Sequence, residues 1–262
     1  MLAANRSEGL RRGLRILGLF TSAQPEWGIR GIARRLELSP NQAYRAVKTL
    51  AEGGYLQKNR ATEKYTLGLR AYELGMEAAR RFGFPEARPH MQRLAAEILA
   101  TITIRIEDGD DMVVIERVES PGRLRVHSIH GNRRPWSFNG AGAKLLASFR
   151  PDAELRLFIR KYGLTPFTDA SITDEREVLE EAARIRRAGY AVNHGEDAPE
   201  IFGVAAPILR REGGSALVLV AAMPFGGLSP SRREEIVPMV VRTAQEIASL
   251  LGNGFQPAHG LA

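Results

Sequence analysis

Hydrophobic residues recur at helical spacing through the first fifty residues of the chain. Apolar side chains repeat from Leu10 to Phe20, and a second short run from Ile29 to Leu36 has its apolar residues at i, i+3, i+4 and i+7. A third helix is predicted to begin at Ser39-Pro40-Asn41-Gln42, since Ser39 suits an N-cap, Pro40 a first turn and Gln42 a capping box. Gly53-Gly54 is expected to end it.

The pattern then changes to two short strands and one longer helix. Tyr55–Lys58 and Lys64–Leu67 are predicted strands joined by a polar turn, and Leu69–Phe82 is a predicted amphipathic helix. Gly83 and Pro85 are expected to end that helix at a domain boundary. A helix, a short connection, a capped helix and a two-stranded ribbon follow one another in a winged helix-turn-helix.

Beyond residue 83 the predicted helices and strands are mixed, with at least one hairpin, which favours an α+β domain around an antiparallel sheet. The predicted helices are Pro89–Ala100, Gly142–Phe149, Asp152–Tyr162, Asp174–Ala188 capped by Thr173, and a final helix that begins at Ser229-Pro230. The predicted strands are Thr101–Ile106, Met112–Val118, Arg123–Ile129, Val204–Leu209 and Ser215–Ala222.

The distribution of charge separates the two parts of the chain. The 262 residues carry a net charge of +7, and residues 1–80 hold 14 Lys and Arg against 7 Asp and Glu, so the whole excess lies there. A small basic module joined to a neutral one is typical of a protein whose first part meets a polyanion. A solvated basic face without a partner is the alternative.

Composition excludes several other classes of protein. The chain has no cysteine, which excludes disulfides, thiolate nucleophiles and Cys-ligated metal sites. The basic N-terminus lacks the apolar stretch of a secretory signal, and the longest apolar run, Ala216–Phe225, is too short to span a membrane. We therefore expect a cytoplasmic protein with no membrane partner.

The outward face of the third predicted helix carries side chains that can read base edges. Asn41, Tyr44, Arg45 and Lys48 share one stripe at spacing i, i+3, i+4 and i+7. Asn and Gln can pair with adenine and Arg with guanine, whereas Tyr and Lys contact phosphates. Gln42 has two alternative roles, in the capping box or at a base. The predicted DNA-binding residues are Arg34, Arg35, Ser39, Asn41, Gln42, Tyr44, Arg45, Lys48, Arg60 and Lys64.

Short segments along nearly the whole chain resemble the IclR family of bacterial transcriptional regulators. In the basic part these are Leu14–Leu17, Ile32–Leu36, Tyr44-Arg45, Gly54–Leu56 and Tyr65–Gly68; further on they are Gly142–Ala147, Ile185–Ala191 and Ala205–Ile208. The resemblance implies a winged helix-turn-helix in residues 7–68, a dimerising linker helix in 69–83 and a GAF-like effector-binding domain in 84–252. It also implies that the protein binds a double-stranded DNA operator as a homodimer or tetramer. Members of the family are more often repressors than activators. No cofactor is expected.

The resemblance further implies a pocket that combines backbone amides before a helix with a few side chains. The matching positions are Gly140, Ala141, Gly142, Asn193, Gly203, Val220 and Ala222. Several polar residues that are common in the family are replaced here, by Asn193, Gly203, Val220 and Ala222. Amides at a helix N-terminus suit a carboxylate. Because these polar side chains are missing, the rest of the wall should be apolar and roomier. We therefore expect an aromatic or branched carboxylic acid as the effector rather than a smaller oxoacid of two or three carbons.

Other functional interpretations of the sequence have weaker support. Gly140–Lys144 does not have the spacing of a phosphate-binding loop or a dinucleotide fingerprint. His127 and His130 would face opposite sides of a strand and have no third ligand nearby, so no metal site is expected. His194–Asp197 offers acid–base groups without a paired nucleophile, so the chain is not expected to be an enzyme. An architectural DNA-binding protein remains an alternative, although the neutral C-terminal part would add nothing to phosphate contact.

Overall fold

The computed structural model describes residues 7–21, 23–82, 84–127, 131, 133–208 and 217–251. The chain divides into two compact units, Met1–Arg81 and Phe82–Ala262, referred to below as the N-terminal and C-terminal units. The elements of the first 82 residues are α1 (Glu8–Leu17), α2 (Ile29–Leu36), α3 (Pro40–Glu52), β1 (Leu56–Lys58), β2 (Tyr65–Leu67) and α4 (Leu69–Phe82).

The first three helices pack around one small core in the N-terminal unit. Ile16, Ile32, Ala43 and Val47 are fully buried there, one or two from each helix. These residues occupy the apolar faces that the sequence pattern assigns to the helices. The strands β1 and β2 form an antiparallel pair, and Leu56 of β1 closes the core. The predicted helix-turn-helix followed by a two-stranded ribbon is confirmed.

The connection between α2 and α3 is set by local backbone geometry. Glu37 adopts the left-handed conformation with φ of 56°, and Leu38 N–H donates to the carbonyl of Ala33 at 2.9 Å, which ends α2. Ser39 and Gln42 then form the predicted capping box at the start of α3. The angle between the two helices therefore depends on a turn of three residues.

A close approach of two glycines joins the strand pair to α3. Gly54 has φ of 75°, and a Cβ atom on Gly68 would overlap the carbonyl oxygen of Gly54. Gly68 N–H also donates to the carbonyl of Tyr55 at 2.8 Å. Position 68 therefore has no room for a side chain.

Replacing Gly68 by Ala is expected to destabilise the N-terminal unit by about 1–3 kcal/mol, because backbone must move to accept the methyl group. Gly75→Ala is the matched control: Gly75 lies inside α4 with nothing within 4 Å of an added Cβ, so the same change should stabilise by up to about 1 kcal/mol. Hydrogen exchange in the full chain measures the first effect at the α3 amides and the second at the α4 amides. Equal protection of the α3 amides from exchange in the two variants would contradict a steric role for Gly68.

The C-terminal unit is an α+β domain built on one six-stranded antiparallel sheet, in the order β5-β4-β3-β8-β7-β6. Its elements are α5 (Phe84–Ile98), β3 (Thr101–Asp108), β4 (Asp111–Val118), β5 (Arg133–Pro135), α6 (Ala141–Ser148), α7 (Asp152–Tyr162), α8 (Glu175–Ala188), β6 (Ala191–His194), β7 (Ile201–Ile208), β8 (Leu217–Pro224) and α9 (Pro230–Leu250). The predicted fold class is confirmed.

Helices cover both faces of this sheet. On one face, α6 packs on β6, β7 and β8 with α8 behind it, around Leu145, Ala205 and Val220. The helices α5 and α9 pack against each other and against β3, β4, β7 and β8. Because both faces are covered, β7 and β8 are apolar almost throughout rather than alternating.

Several boundaries differ from the sequence-based expectation. Residues 123–127 of the predicted strand 123–129 form a bend and an irregular segment, and the rest of that prediction lies outside the described residues. The helix predicted to start at Pro89 starts at Phe84, and Asp174 rather than Thr173 caps α8. Pro85 lies in the first turn of α5, where a missing N–H removes no hydrogen bond, so it does not end a helix there. Gly83, His130 and the predicted turn 210–214 lie outside the described residues.

Candidate DNA-binding and effector sites

The exposed stripe predicted on α3 is present. Asn41, Tyr44, Arg45 and Lys48 are all exposed, while Ala43 and Val47 on the opposite face are buried. Tyr44 is 51% exposed. Only Lys48 has an ionic partner on the helix, Glu52 at 3.7 Å, and such an exposed pair is weak. The stripe is thus free to meet a ligand.

Gln42 has the capping role that competes with base contact. Its Oε1 accepts a hydrogen bond from Ser39 N–H at 3.0 Å, and the Ser39 hydroxyl oxygen accepts one from Gln42 N–H at 3.3 Å. The amide nitrogen of the Gln42 side chain has no partner among the described residues. The side chain oxygen is committed to the cap, whereas contact with a base stays a prediction.

The basic side chains around α3 are largely free of acidic partners. Within residues 7–21 and 23–82, no ion pair involves Arg34 and Arg35 of α2, Arg45 of α3 or Arg60 of the turn between β1 and β2, and all four are exposed. Lys64, by contrast, lies 3.9 Å from a carboxylate oxygen of Glu26. Unpaired exposed arginines are the groups that phosphate oxygens bind with two parallel hydrogen bonds.

A cavity of about 130 Å³ lies in the C-terminal unit between the sheet and the start of α6. Six of the seven predicted effector residues line it: Gly140, Ala141, Asn193, Gly203, Val220 and Ala222. Gly142, the seventh, is not part of the wall. An added Cβ on Gly142 would lie 2.9 Å from Cγ2 of Val220, so this glycine lets α6 approach β8 closely.

The N-terminus of α6 opens on this cavity. Gly140 is the N-cap, and no side chain among the described residues caps the helix there. Lys144 N–H is the first amide that bonds back, to the carbonyl of Gly140 at 2.9 Å. The amide of Ala141 therefore has no partner within the helix and can donate to a ligand.

Asn193 supplies one further donor to the cavity. Its side-chain oxygen accepts hydrogen bonds from Gly195 N–H at 3.0 Å and Glu196 N–H at 2.8 Å, which fixes the turn after β6. Its side-chain nitrogen has no partner in the described structure. Gly203 lies opposite on β7, where an added Cβ would be 3.3 Å from Cβ of Asn193. The small residue leaves the space in which the amide group projects.

Sequence reasoning missed Arg105, a charged side chain on the floor of the cavity. Thr101, Thr103 and Arg105 alternate along β3, so all three face the cavity. Arg105 Nε donates to the Thr103 hydroxyl oxygen at 3.1 Å. Burial lowers the pKa of the Arg105 guanidinium to about 10, with a smaller contribution from the nearby charge of Arg134. A basic residue in an otherwise apolar strand was the available signal.

An ion pair lies at the edge of the cavity. Both carboxylate oxygens of Asp197 accept hydrogen bonds from Arg134 on β5, each at 3.0 Å. This bidentate pair links β5 to the turn after β6. His127 also lines the cavity, and Asp197 is the only carboxylate in its described wall.

Next to the cavity, α6 carries a buried lysine. Lys144 is 1% exposed, and its ammonium lies 2.5 Å from Glu196 Oε1 and 3.5 Å from Glu181 Oε1. Arg184 completes the pairing of Glu181. These ion pairs connect α6, α8 and the turn after β6. In the described residues, no group of three or more His, Asp or Glu side chains could hold a metal ion.

The fold of the N-terminal unit and the ligand-sized cavity in the C-terminal unit define a helix-turn-helix transcriptional regulator with a separate effector domain. Two family models match the chain: the IclR helix-turn-helix domain over residues 9–60 and the bacterial transcriptional regulator IclR C-terminal domain over residues 84–249. The chain belongs to the IclR family of transcriptional regulators.

Individual relatives agree with this assignment. The HTH-type transcriptional regulator BhcR of Paracoccus denitrificans is 30% identical over 251 residues, which span 94% of this chain and 89% of that protein. The crystal structure of an IclR regulator from Alicyclobacillus acidocaldarius has a TM-score of 0.84 at 24% identity, covering 95% of this chain and all of that one. An IclR homolog from Microbacterium hydrocarbonoxydans, complexed with 4-hydroxybenzoate, has a TM-score of 0.80 at 23% identity, covering 93% and 99%. Both structural similarities show a shared fold.

Within the described ranges, none of the helices combines the length and hydrophobicity of a membrane span.

Proposed function

We propose that this protein is a repressor whose affinity for an operator is controlled by a small carboxylic acid bound in the C-terminal unit. The observation that carries the proposal is the exposed stripe on α3, flanked by arginines that have no acidic partner in the described N-terminal unit. A recognition helix enters the major groove with such a stripe facing the base edges, while the flanking cations neutralise phosphates.

In this proposal each segment of the chain has its own role. Residues 7–68 bind DNA, the linker segment 69–83, which contains α4, pairs two protomers, and residues 84–252 bind the effector. The exposed apolar side chains of α4, among them Tyr72 and Met76, support pairing in a homodimer or a tetramer of such dimers. Because an operator lies on cytoplasmic DNA, the proposed protein acts in the cytoplasm. The cavity is proposed to bind an effector without catalysing a reaction.

Binding to DNA from the region that flanks the gene tests the proposal. Fluorescence anisotropy should show affinity well above that for a random duplex of equal length, and the affinity should fall steeply as salt rises. An architectural protein would show the same salt dependence with little sequence preference. Equal binding to both duplexes would therefore contradict the proposed regulator.

Arg45→Ala is expected to weaken discrimination at one base pair of the operator by about 1–3 kcal/mol, because Arg45 is proposed to pair with a guanine edge. Arg60→Ala is the comparison, since a phosphate contact from the turn between β1 and β2 should weaken all duplexes alike. Both variants are measured against the operator and single-base substitutions of it. A uniform loss for Arg45→Ala would identify Arg45 as a phosphate contact instead.

A further inference from the structure

We propose that Arg105 binds the carboxylate of the effector and restricts the cavity to monocarboxylic acids with an apolar body. This inference deepens the proposed function and depends on it for its biological meaning. Arg105 lies on the face of β3 that forms the floor of the cavity, beside Thr103. Neither residue belongs to the set that similarity to the family indicates.

The guanidinium of Arg105 has hydrogen-bond donors to spare. Its Nε donates to Thr103, while the two Nη groups have no acceptor among the described residues. No carboxylate of the described chain forms an ion pair with it. These two Nη groups face the cavity, where a carboxylate from solution could accept two parallel hydrogen bonds from them.

The other polar groups of the wall are mainly donors as well. Thr103 uses its oxygen as acceptor for Arg105, so its hydroxyl proton is free. The side-chain nitrogen of Asn193 and the amide of Ala141 are also without partners in the described part of the chain. Thr101, by contrast, is satisfied: it donates to the carbonyl of Val126 at 2.8 Å and accepts from Ser120 N–H at 3.3 Å. A cavity rich in unused donors selects an anion.

The charges of the wall set the valence of that anion. Asp197 is the only carboxylate in the described wall, and both of its oxygens accept hydrogen bonds from Arg134 rather than from Arg105. The two arginines and one aspartate of the wall, Arg105, Arg134 and Asp197, together leave one positive charge. One carboxylate balances that charge, whereas a second would have to be buried without a counterion.

The rest of the wall fits an apolar group. Its apolar side chains are Met112, Val114, Val126, Ile201, Val220 and Ala222. The cavity volume of about 130 Å³ is close to the ~150 Å³ of an engineered apolar cavity that holds benzene. A single ring or a short branched chain would therefore fill the cavity, with its carboxylate at Arg105.

Isothermal titration calorimetry on the full chain at pH 7 tests this with matched pairs of ligands. The acids are benzoate, 4-hydroxybenzoate and isovalerate, each beside its neutral primary amide, with phthalate and succinate as dicarboxylates. We expect at least one monocarboxylate to bind at least ~10-fold more tightly than its amide and than either dicarboxylate. The inference is overturned if no acid binds, or if acid and amide bind equally.

Variants of Arg105 identify the residue responsible. Arg105→Gln should weaken binding of the acid by ~10- to 100-fold and that of the amide by less than ~3-fold, while Arg105→Lys should give an intermediate loss for the acid. Arg123→Gln is the control, because Arg123 is exposed and outside the cavity wall, so its removal changes net charge alone. Unchanged binding of the acid by Arg105→Gln would overturn the inference, and the acid–amide comparison remains decisive if that variant does not fold.

A measurement of operator affinity separates this inference from the proposed function. If the acid binds through Arg105 but leaves operator affinity unchanged, the inference stands and control of DNA binding by the effector is wrong. If the operator is bound specifically and no acid binds, the inference fails while the DNA-binding role stands.

Discussion

Replacing Lys144 by Met is expected to destabilise the C-terminal unit by about 3–5 kcal/mol, because it leaves the buried carboxylate of Glu196 without its cation. Lys144 is 1% exposed, and Glu196 is 7% exposed. Glu181 keeps Arg184 as a partner, so the main loss falls on Glu196. Urea unfolding of the full chain at pH 7, followed by circular dichroism, measures the change.

Two controls distinguish the effect of breaking a buried ion pair from the effect of removing any lysine. Lys161→Met removes an exposed partner of Asp110, and we expect a loss within about 1 kcal/mol. Lys144→Met combined with Glu196→Gln should recover part of the stability, since no buried charge is then left unpaired. A loss below about 1 kcal/mol in Lys144→Met, or no recovery in the double variant, would show that Glu196 reaches solvent.

The same ion pairs predict a dependence on pH. Burial raises the pKa of Glu181, but hydrogen bonds and charges from Arg184 and Lys144 outweigh this and hold its pKa below the usual 4.5. A carboxyl with a lowered pKa in the folded state adds stability above its unfolded pKa, and that stability is lost as pH falls through the folded pKa. The difference in stability between the wild type and Lys144→Met should therefore narrow at acidic pH.

Replacing Arg34, Arg35 and Arg60 together by Gln should reduce the slope of log affinity against log salt by ~2.7 for each bound protomer, since each neutralised phosphate contributes ~0.9. Specificity for the operator over single-base variants should stay nearly constant, because these arginines are proposed to meet phosphates rather than bases. Fluorescence anisotropy across a salt series measures both quantities.

The control for this triple variant removes the same charge from the other unit. Arg123, Arg176 and Arg187 are exposed in the C-terminal unit, and their joint replacement by Gln should leave the slope unchanged. An equal drop in both triple variants would mean that net charge, rather than contact with phosphate, sets the salt dependence. A change in base preference in the first variant would place one of those arginines at a base edge.

Elements with strong local signals were predicted closely. The bounds of Ile29–Leu36, Leu69–Phe82 and Asp152–Tyr162 match the structure, and the capping box at Ser39 and Gln42 is present. These features depend on side chains within one or two turns of one another, so periodicity and capping chemistry contain the needed information. The two compact units of the structure meet between Arg81 and Phe82.

Short strands were predicted less well, because their formation depends on partner strands that are distant in the sequence. β5 (Arg133–Pro135) was not predicted because only three residues form it, and they are held by pairing with β4. The strand predicted to begin at Arg123 is wrong in its described part, since alternation alone does not supply a neighbouring strand. Irregular backbone there instead provides the carbonyl of Val126 to which Thr101 donates.

The sequence by itself determined that a basic helix-turn-helix precedes an α+β domain of zero net charge, because charge and helical period can be read over neighbouring residues. Only the tertiary structure decided which groups meet in the cavity: β3, β5 and the turn after β6 bring Arg105, Arg134 and Asp197 together from separate parts of the chain. It also decided that Asp197 forms its two hydrogen bonds with Arg134 and not with Arg105. Strand pairing sets such distances, and no local pattern encodes them.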